Sequence, residues 1–355
     1  MRKEDPLNTR HGVLVMAAAV ALATAVLAGC GAPSPPPASR APLTAGAAAT
    51  APAPKAAKEI TIGLSMYTLA APYFAAQTNA VKKKAAEMGV KAVIATEAHD
   101  DMNKQLADVE DLLSKNIDIL ILNPKDPKGL VPATRAATRA GIPVIVIDSS
   151  IDPSADYVTN VQSNNLANGE LIGEWLASRM KGQPIRMALL SGTQGNPVGK
   201  ERRQGVFRGI IEQQLRDSNK SGFDILTQGW GNWTHEGGLK AMEDILVARP
   251  DANVLLCEND SMCLGALKAI TEAGRKGQIL VVAAADGQKE AYEAIRRGEY
   301  GATGLNDPAL VAATAVEIAL GYLAGRRDFP KIYYTEAAAI TKANVDKFYR
   351  ANSDF

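Results

Sequence analysis

From Glu59 onward, apolar residues follow two alternating rhythms. Short runs that are apolar at most positions (Ile60–Met66, Lys91–Thr96, Ile117–Leu122, Ile142–Ile147) alternate with longer stretches of helical spacing (Tyr73–Met88, Met102–Ser114, Leu130–Ala140). In Met102–Ser114, residues Leu106, Val109, Leu112 and Leu113 share one helical face. A run such as Ile142-Pro-Val-Ile-Val-Ile147 suits a strand covered by helices on both faces. A second series follows, with helices over 166–180, 200–216, 235–248 and 261–274 and strands over 185–190, 223–228, 252–257 and 279–284. Helix 287–297, strand 301–305 and helix 308–324 complete it. Repeated strand–helix units predict parallel, doubly wound sheets. Two sheets of about six strands each fit better than one very wide sheet. The expected fold class is therefore α/β, in two parallel-sheet lobes.

Composition narrows the function. The chain has 355 residues, 46% hydrophobic and 22% charged, which is a globular balance with length for two domains. It carries 39 Lys plus Arg against 38 Asp plus Glu, so it has no electrostatic grip on nucleic acid. Three Cys cannot build a disulfide scaffold.

The first 57 residues do not read as fold. Arg2, Lys3 and Arg10 precede an apolar run from Val13 to Ala28, the pattern of a secretory signal over 1–29. The run then meets Leu27-Ala-Gly-Cys30, which resembles a bacterial lipobox. That resemblance implies cleavage before Cys30 and diacylglycerol on its thiol. Residues 31–57 hold seven Pro and eleven Ala without hydrophobic periodicity, so 30–57 is expected to be a tether behind the lipidated Cys. The implied location is the periplasm or cell surface, anchored to a membrane.

In open α/β sheets, ligands bind beyond the carboxyl ends of the strands. Asn123, Asp148, Glu258-Asn259-Asp260, Asp286 and Asn306 follow apolar runs from both halves of the chain. Helix capping accounts for Asp307 and for part of this set. Aromatic residues open other loops: Tyr73-Phe74, and Trp230 and Trp233. Flat amides and carboxylates can address vicinal hydroxyls, and aromatic rings can cover the apolar face of a sugar.

Five stretches, Ser65–Phe74, Ile121–Pro124, Pro143–Asp148, Glu258–Ala266 and Ala284–Gly287, make the body from about 59 to 330 similar to the type I periplasmic sugar-binding proteins of the ribose/galactose kind. These are the receptors of ABC importers. The resemblance implies two lobes joined by a three-crossing hinge, the first formed by 59–162 plus 307–330 and the second by 163–306 plus 331–355. It implies ligand-binding roles for Tyr73 and Phe74 (stacking), Asn123 and Asp148 (first lobe), and Arg202, Trp233, Asn259 and Asp286 (second lobe). Asn306 falls near a hinge crossing, and Arg203 is the alternative to Arg202 if the register slips. Two positions depart from the ribose pattern: Ser149 stands where Arg is expected and Ala71 where a polar residue is expected. A monosaccharide, polyol or cyclitol other than ribose thus remains open as the ligand, with an ABC permease and its ATPase as partners of a monomeric receptor.

Other chemistry finds less support. Gly192–Lys200 fails the phosphate-loop pattern, because Glu201 occupies the Ser/Thr position. No G-x-S-x-G elbow is present, and His99 and His235 lack a second His at ligand spacing, so neither an enzyme nor a cofactor or metal is expected. Cys257 and Cys263 flank the Glu258–Asp260 loop as buried thiols or, in an oxidising compartment, as a disulfide. A sensory role feeding a chemoreceptor or sensor kinase would use the same lobes. Lactose-repressor-type transcription factors share the fold but carry a DNA-binding motif where this chain has its leader.

Overall fold

The computed structural model describes residues 55–353 and Phe355. The expected signal and Cys30 lie outside the described residues. Two six-stranded sheets organise the chain. The first holds β1 (Thr61–Met66), β2 (Ala92–Glu97), β3 (Ile119–Asn123), β4 (Val144–Ile147), β5 (Thr159–Ser163) and β11 (Ile332–Thr335), in the order β11-β5-β4-β3-β1-β2. All its pairings are parallel. Helices α1 (Pro72–Glu87), α2 (Met102–Ser114), α3 (Val131–Arg139) and α9 (Pro308–Leu323) accompany it.

The second sheet holds β6 (Arg186–Ser191), β7 (Asp224–Trp230), β8 (Val254–Cys257), β9 (Leu280–Ala283), β10 (Ala302–Gly304) and β12 (Ala339–Thr341), in the order β12-β10-β9-β8-β6-β7. Only β12 runs antiparallel there. Its helices are α4 (Asn165–Arg179), α5 (Pro197–Ser218), α6 (His235–Ala248), α7 (Asp260–Glu272), α8 (Lys289–Arg297) and α10 (Val345–Phe348).

The apolar pattern explains this layering. Every residue of β1, β3, β4 and β8 is buried, as strands sandwiched between helices require. On α2, Val109 and Leu112 are fully buried, and Leu106 and Leu113 pack at the margin of the same cluster. The chain crosses between lobes after Ser163, around Asn306, and between Thr335 and Ala339. The third crossing corrects the boundary expected at 330: Ile332–Thr335 pairs in parallel with Asn160–Ser163, so the first lobe keeps the chain through Thr335. The segment's backbone pairs with β5, a strand of the first sheet, which assigns it to the first lobe.

One close contact sets the site. Helices α4 and α5 meet through Gly169, Gly173, Gly205 and Gly209; a Cβ at Gly173 would stand 2.1 Å from the Val206 carbonyl oxygen. This approach brings Arg202, on α5, to the start of α4.

Candidate functional site

The cleft opens where the carboxyl ends of both sheets face each other, as the strand-end rule requires. Its free space is about 350 Å³, open mouth included. Of the nine expected ligand-binding residues, Tyr73, Phe74, Asp148, Arg202, Trp233, Asn259, Asp286 and Asn306 line it. Asn123 does not. It is fully buried one layer back and donates through Nδ2 to Asp148 Oδ2 (3.4 Å) and Gln77 Oε1 (3.2 Å).

The second-lobe wall is built around Arg202. Its side chain is 3% exposed and pairs through Nη2 with Asp286 Oδ1 at 2.8 Å. Nε donates to Asn165 Oδ1 (3.0 Å) and Nη1 to the Glu258 carbonyl (2.8 Å). Truncating either member of such a pair would leave a buried charge unmatched. The alternative Arg203 turns away and pairs with Glu258, so the helix rotation assigns the cleft to Arg202. Asp286 also accepts from Asn306 Nδ2 (3.0 Å), and Asn306 Oδ1 accepts from the Tyr73 hydroxyl (3.0 Å). One continuous chain of hydrogen bonds thus joins Tyr73 of the first lobe to Arg202 of the second.

Asn259 combines capping with a place in the cleft. Its Oδ1 accepts from Met262 N–H (3.1 Å), capping α7, and its Nδ2 donates to the Trp233 carbonyl (3.1 Å). Trp233 has φ 66°, a left-handed backbone that a bulky residue adopts only when its surroundings fix it. Its indole lies where a Cβ on Gly192 would sit, at 2.0 Å, so only glycine fits beneath the ring. The buried indole Nε1 has no hydrogen-bond partner among the described residues. The Arg202 guanidinium lies 5.9 Å from the ring centroid.

On the first-lobe wall Asp148 also has a left-handed backbone, φ 63°, closed by Ser149 N–H donating to the Ile147 carbonyl at 2.7 Å. Burial pushes its carboxyl up to about 6; Arg202 opposes this and Asp286 adds to it. Asn123 Nδ2 donates to it at a long 3.4 Å, and the neighbouring Tyr73 hydroxyl also favours its ionised form. The carboxylate lines the cleft, where it can accept from donors brought by a ligand. Tyr73 and Phe74 meet edge to face at 5.5 Å, and Phe74 meets Tyr67 at 4.9 Å.

Ala71 and Ser149, the two departures from the ribose pattern, both line the cleft. So do Tyr67, Asn196 and Val198, which sequence reasoning missed. Asn196, which caps α5, and Val198, in its first turn, fall within the stretch weighed as a phosphate site. The same strand-end rule, applied after β6, points to that stretch. Trp230 is exposed on β7 and His235 on α6, and neither lines the cleft. Cys257 and Cys263 are joined as a disulfide across the β8–α7 turn. Among the described residues, no cluster of three His, Cys, Asp or Glu could hold a metal, and no helix is long and apolar enough to cross a membrane.

Residues 62–327 match the family described as periplasmic binding protein domain. The chain is 34% identical over 270 residues to the ribose import binding protein of Bacillus subtilis (strain 168), covering 76% of this chain and 84% of that protein. Among solved structures it resembles an ABC transporter solute binding protein from Mycobacterium smegmatis with bound glycerol, at TM-score 0.75 and 30% identity, over 83% of this chain and 98% of that one. It also resembles a periplasmic solute binding protein of an ABC transporter from Actinobacillus succinogenes 130z with bound D-allose, at TM-score 0.73 and 27% identity, over 81% and 99%. Two α/β lobes, a polar cleft at facing strand ends and this kinship lead to one conclusion: the chain belongs to the periplasmic binding protein family, among the type I sugar-binding proteins of ABC importers.

Proposed function

We propose that the protein is a lipid-anchored extracytoplasmic receptor, working as a monomer, that closes on a monosaccharide, polyol or cyclitol and hands it to an ABC permease and its ATPase. The observation that carries this reading is the buried polar set aimed into one cleft from both lobes. Asp148 comes from the first lobe, the Arg202–Asp286 pair from the second and Asn306 from the crossing, with Tyr73, Phe74 and Trp233 as apolar walls. Donors and acceptors beside aromatic faces match a neutral polyhydroxyl ligand. Ser149 and Ala71 shorten the polar reach of the first-lobe wall, which favours a ligand other than ribose. Import rather than sensing is favoured because curated relatives of this chain are named as import binding proteins. Anchoring rests on Leu27-Ala-Gly-Cys30.

The test is a thermal-shift screen of the purified protein against pentoses, hexoses, polyols, inositols and amino acids, since a ligand bound only by the folded state raises Tm by mass action. One carbohydrate or polyol should give a large shift. Asp148→Ala should weaken its binding by about 100-fold, on the order of one hydrogen bond to a charged group. A shift produced by amino acids alone would overturn the sugar reading.

A further inference from the structure

The chain after β12 returns toward the cleft. Its first part is tied to α8 of the second lobe. Arg296 pairs with Asp346 (2.5 Å) and lies 4.1 Å over the Tyr349 ring, the Tyr349 hydroxyl donates to Glu293 Oε1 (3.1 Å), and Lys289 Nζ donates to the Ala351 carbonyl (2.5 Å). Phe355 then reaches the first lobe. It is 8% exposed, belongs to the apolar cluster in which first-lobe residues meet Val198, Trp233 and Met262 of the second lobe, and meets the Tyr73 ring edge to face at 5.6 Å and 86°. Phe355 is not among the residues that line the cleft, so it supports Tyr73 from outside the ligand space. Tyr73 is thereby held on three sides: by Phe74 at 5.5 Å, by Phe355, and at its hydroxyl by Asn306.

We propose that Phe355 is a positioning residue for ligand capture: a side chain carried by the second lobe that seats against Tyr73 when the lobes close and fixes the ring that walls the site. The inference rests on the reading of Tyr73 as a ligand-facing residue. Lobe opening separates α8, which holds the segment up to Ala351, from α1, which holds Tyr73, so the Phe355–Tyr73 contact belongs to the closed form. A contact made only in the closed form slows opening and dissociation while leaving association nearly unchanged.

The experiment measures association and dissociation rates for whichever of D-ribose, D-allose, L-arabinose and myo-inositol binds the unaltered protein most tightly. Phe355→Ala should speed dissociation by about five-fold, the order expected for one aromatic pair, with association nearly unchanged. Phe355→Tyr, which keeps the ring, should restore the slow rate. In a Tyr73→Ala background, Phe355→Ala should add nothing, because its partner is gone. If Tyr73→Ala weakens binding while Phe355→Ala leaves dissociation unchanged, or if the two effects add independently, Phe355 has no positioning role and the site assignment stands. If Tyr73→Ala binds normally, the site reading itself falls and takes this inference with it.

Discussion

At the scale of single residues, Asp148 carries the most consequential chemistry. Its carboxyl is buried, and burial pushes it up to about 6, above the ordinary aspartate range. A carboxyl whose folded value is raised binds its proton more tightly in the fold. The associated stability is fully present below the unfolded value and is lost as pH rises through about 6. Ligand hydroxyls act in the opposite sense, because they donate to the ionised form and pull the titration down. Sugar affinity should therefore fall as pH drops from 7 to 5, while this residue's contribution to sugar-free stability grows. Calorimetric titrations and melting curves over that range check both trends, and Asp148→Asn should flatten both. An affinity indifferent to pH would remove the ionised carboxylate from the binding step. Asp148 was legible because it follows an all-apolar run, so the strand-end position alone marks it. The choice between Arg202 and Arg203 was not, since it turns on the rotation of α5 against α4, set by glycines whose role appears only in three dimensions. Asn123 satisfied the strand-end rule yet sits behind Asp148, because the last residue of β3 is still inside the layer.

At the scale of elements, the strand-to-helix turns of the second lobe fix its ligand-facing groups. Asp260, the first residue of α7, is fully buried, and its Oδ2 accepts three backbone N–H groups from the β9–α8 loop: Asp286 (3.2 Å), Gly287 (2.7 Å) and Gln288 (2.8 Å). Its Oδ1 accepts from the Tyr300 hydroxyl at 2.7 Å. Asp260 therefore holds the backbone that presents Asp286 to Arg202, and the Cys257–Cys263 disulfide closes the turn from which it projects. Asp260→Ala would strand several buried donors at about 1–3 kcal/mol each. Both Tm and sugar affinity should drop sharply, whereas Tyr300→Phe should cost about 1 kcal/mol. Asp260→Asn, which keeps an acceptor, should recover most of the Tm. A normal Tm in Asp260→Ala would show that the loop holds its shape unaided. The helices and buried parallel strands of this layer were readable from periodicity. Strand β5, Thr159-Asn-Val-Gln-Ser163, was not, because polar side chains break its apolar run although every residue is buried. Strands β11 and β12 were missed because they are short and lie at sheet edges, where their sequence resembles a tail.

At the scale of the whole molecule, capture is a matter of closure. Tyr67, Tyr73 and Phe74 of the first lobe share one apolar cluster with Val198, Trp233 and Met262 of the second, so the lobes are shut over the cleft. Opening would expose these faces and break the Tyr73–Asn306–Asp286 chain. A ligand that satisfies Asp148 and the unpartnered Trp233 indole adds interactions available only in the closed form, and a preference of that kind is what shifts the population. Every residue in this device lies between Tyr67 and Phe355, whereas the proposed anchor is Cys30. Membrane attachment and ligand capture should therefore separate cleanly. One acyl chain gives only marginal, reversible membrane binding, and stable anchoring takes two signals. The two chains of a diacylglyceryl group would both be lost with the Cys30 thiol. Cys30→Ser should accordingly move the protein from the membrane fraction to the soluble fraction while leaving its sugar affinity unchanged. If Cys30→Ser stays with the membrane, the anchor lies elsewhere. If it is released but binds sugar more weakly, the leader and the body are coupled in a way that closure of the lobes alone does not explain.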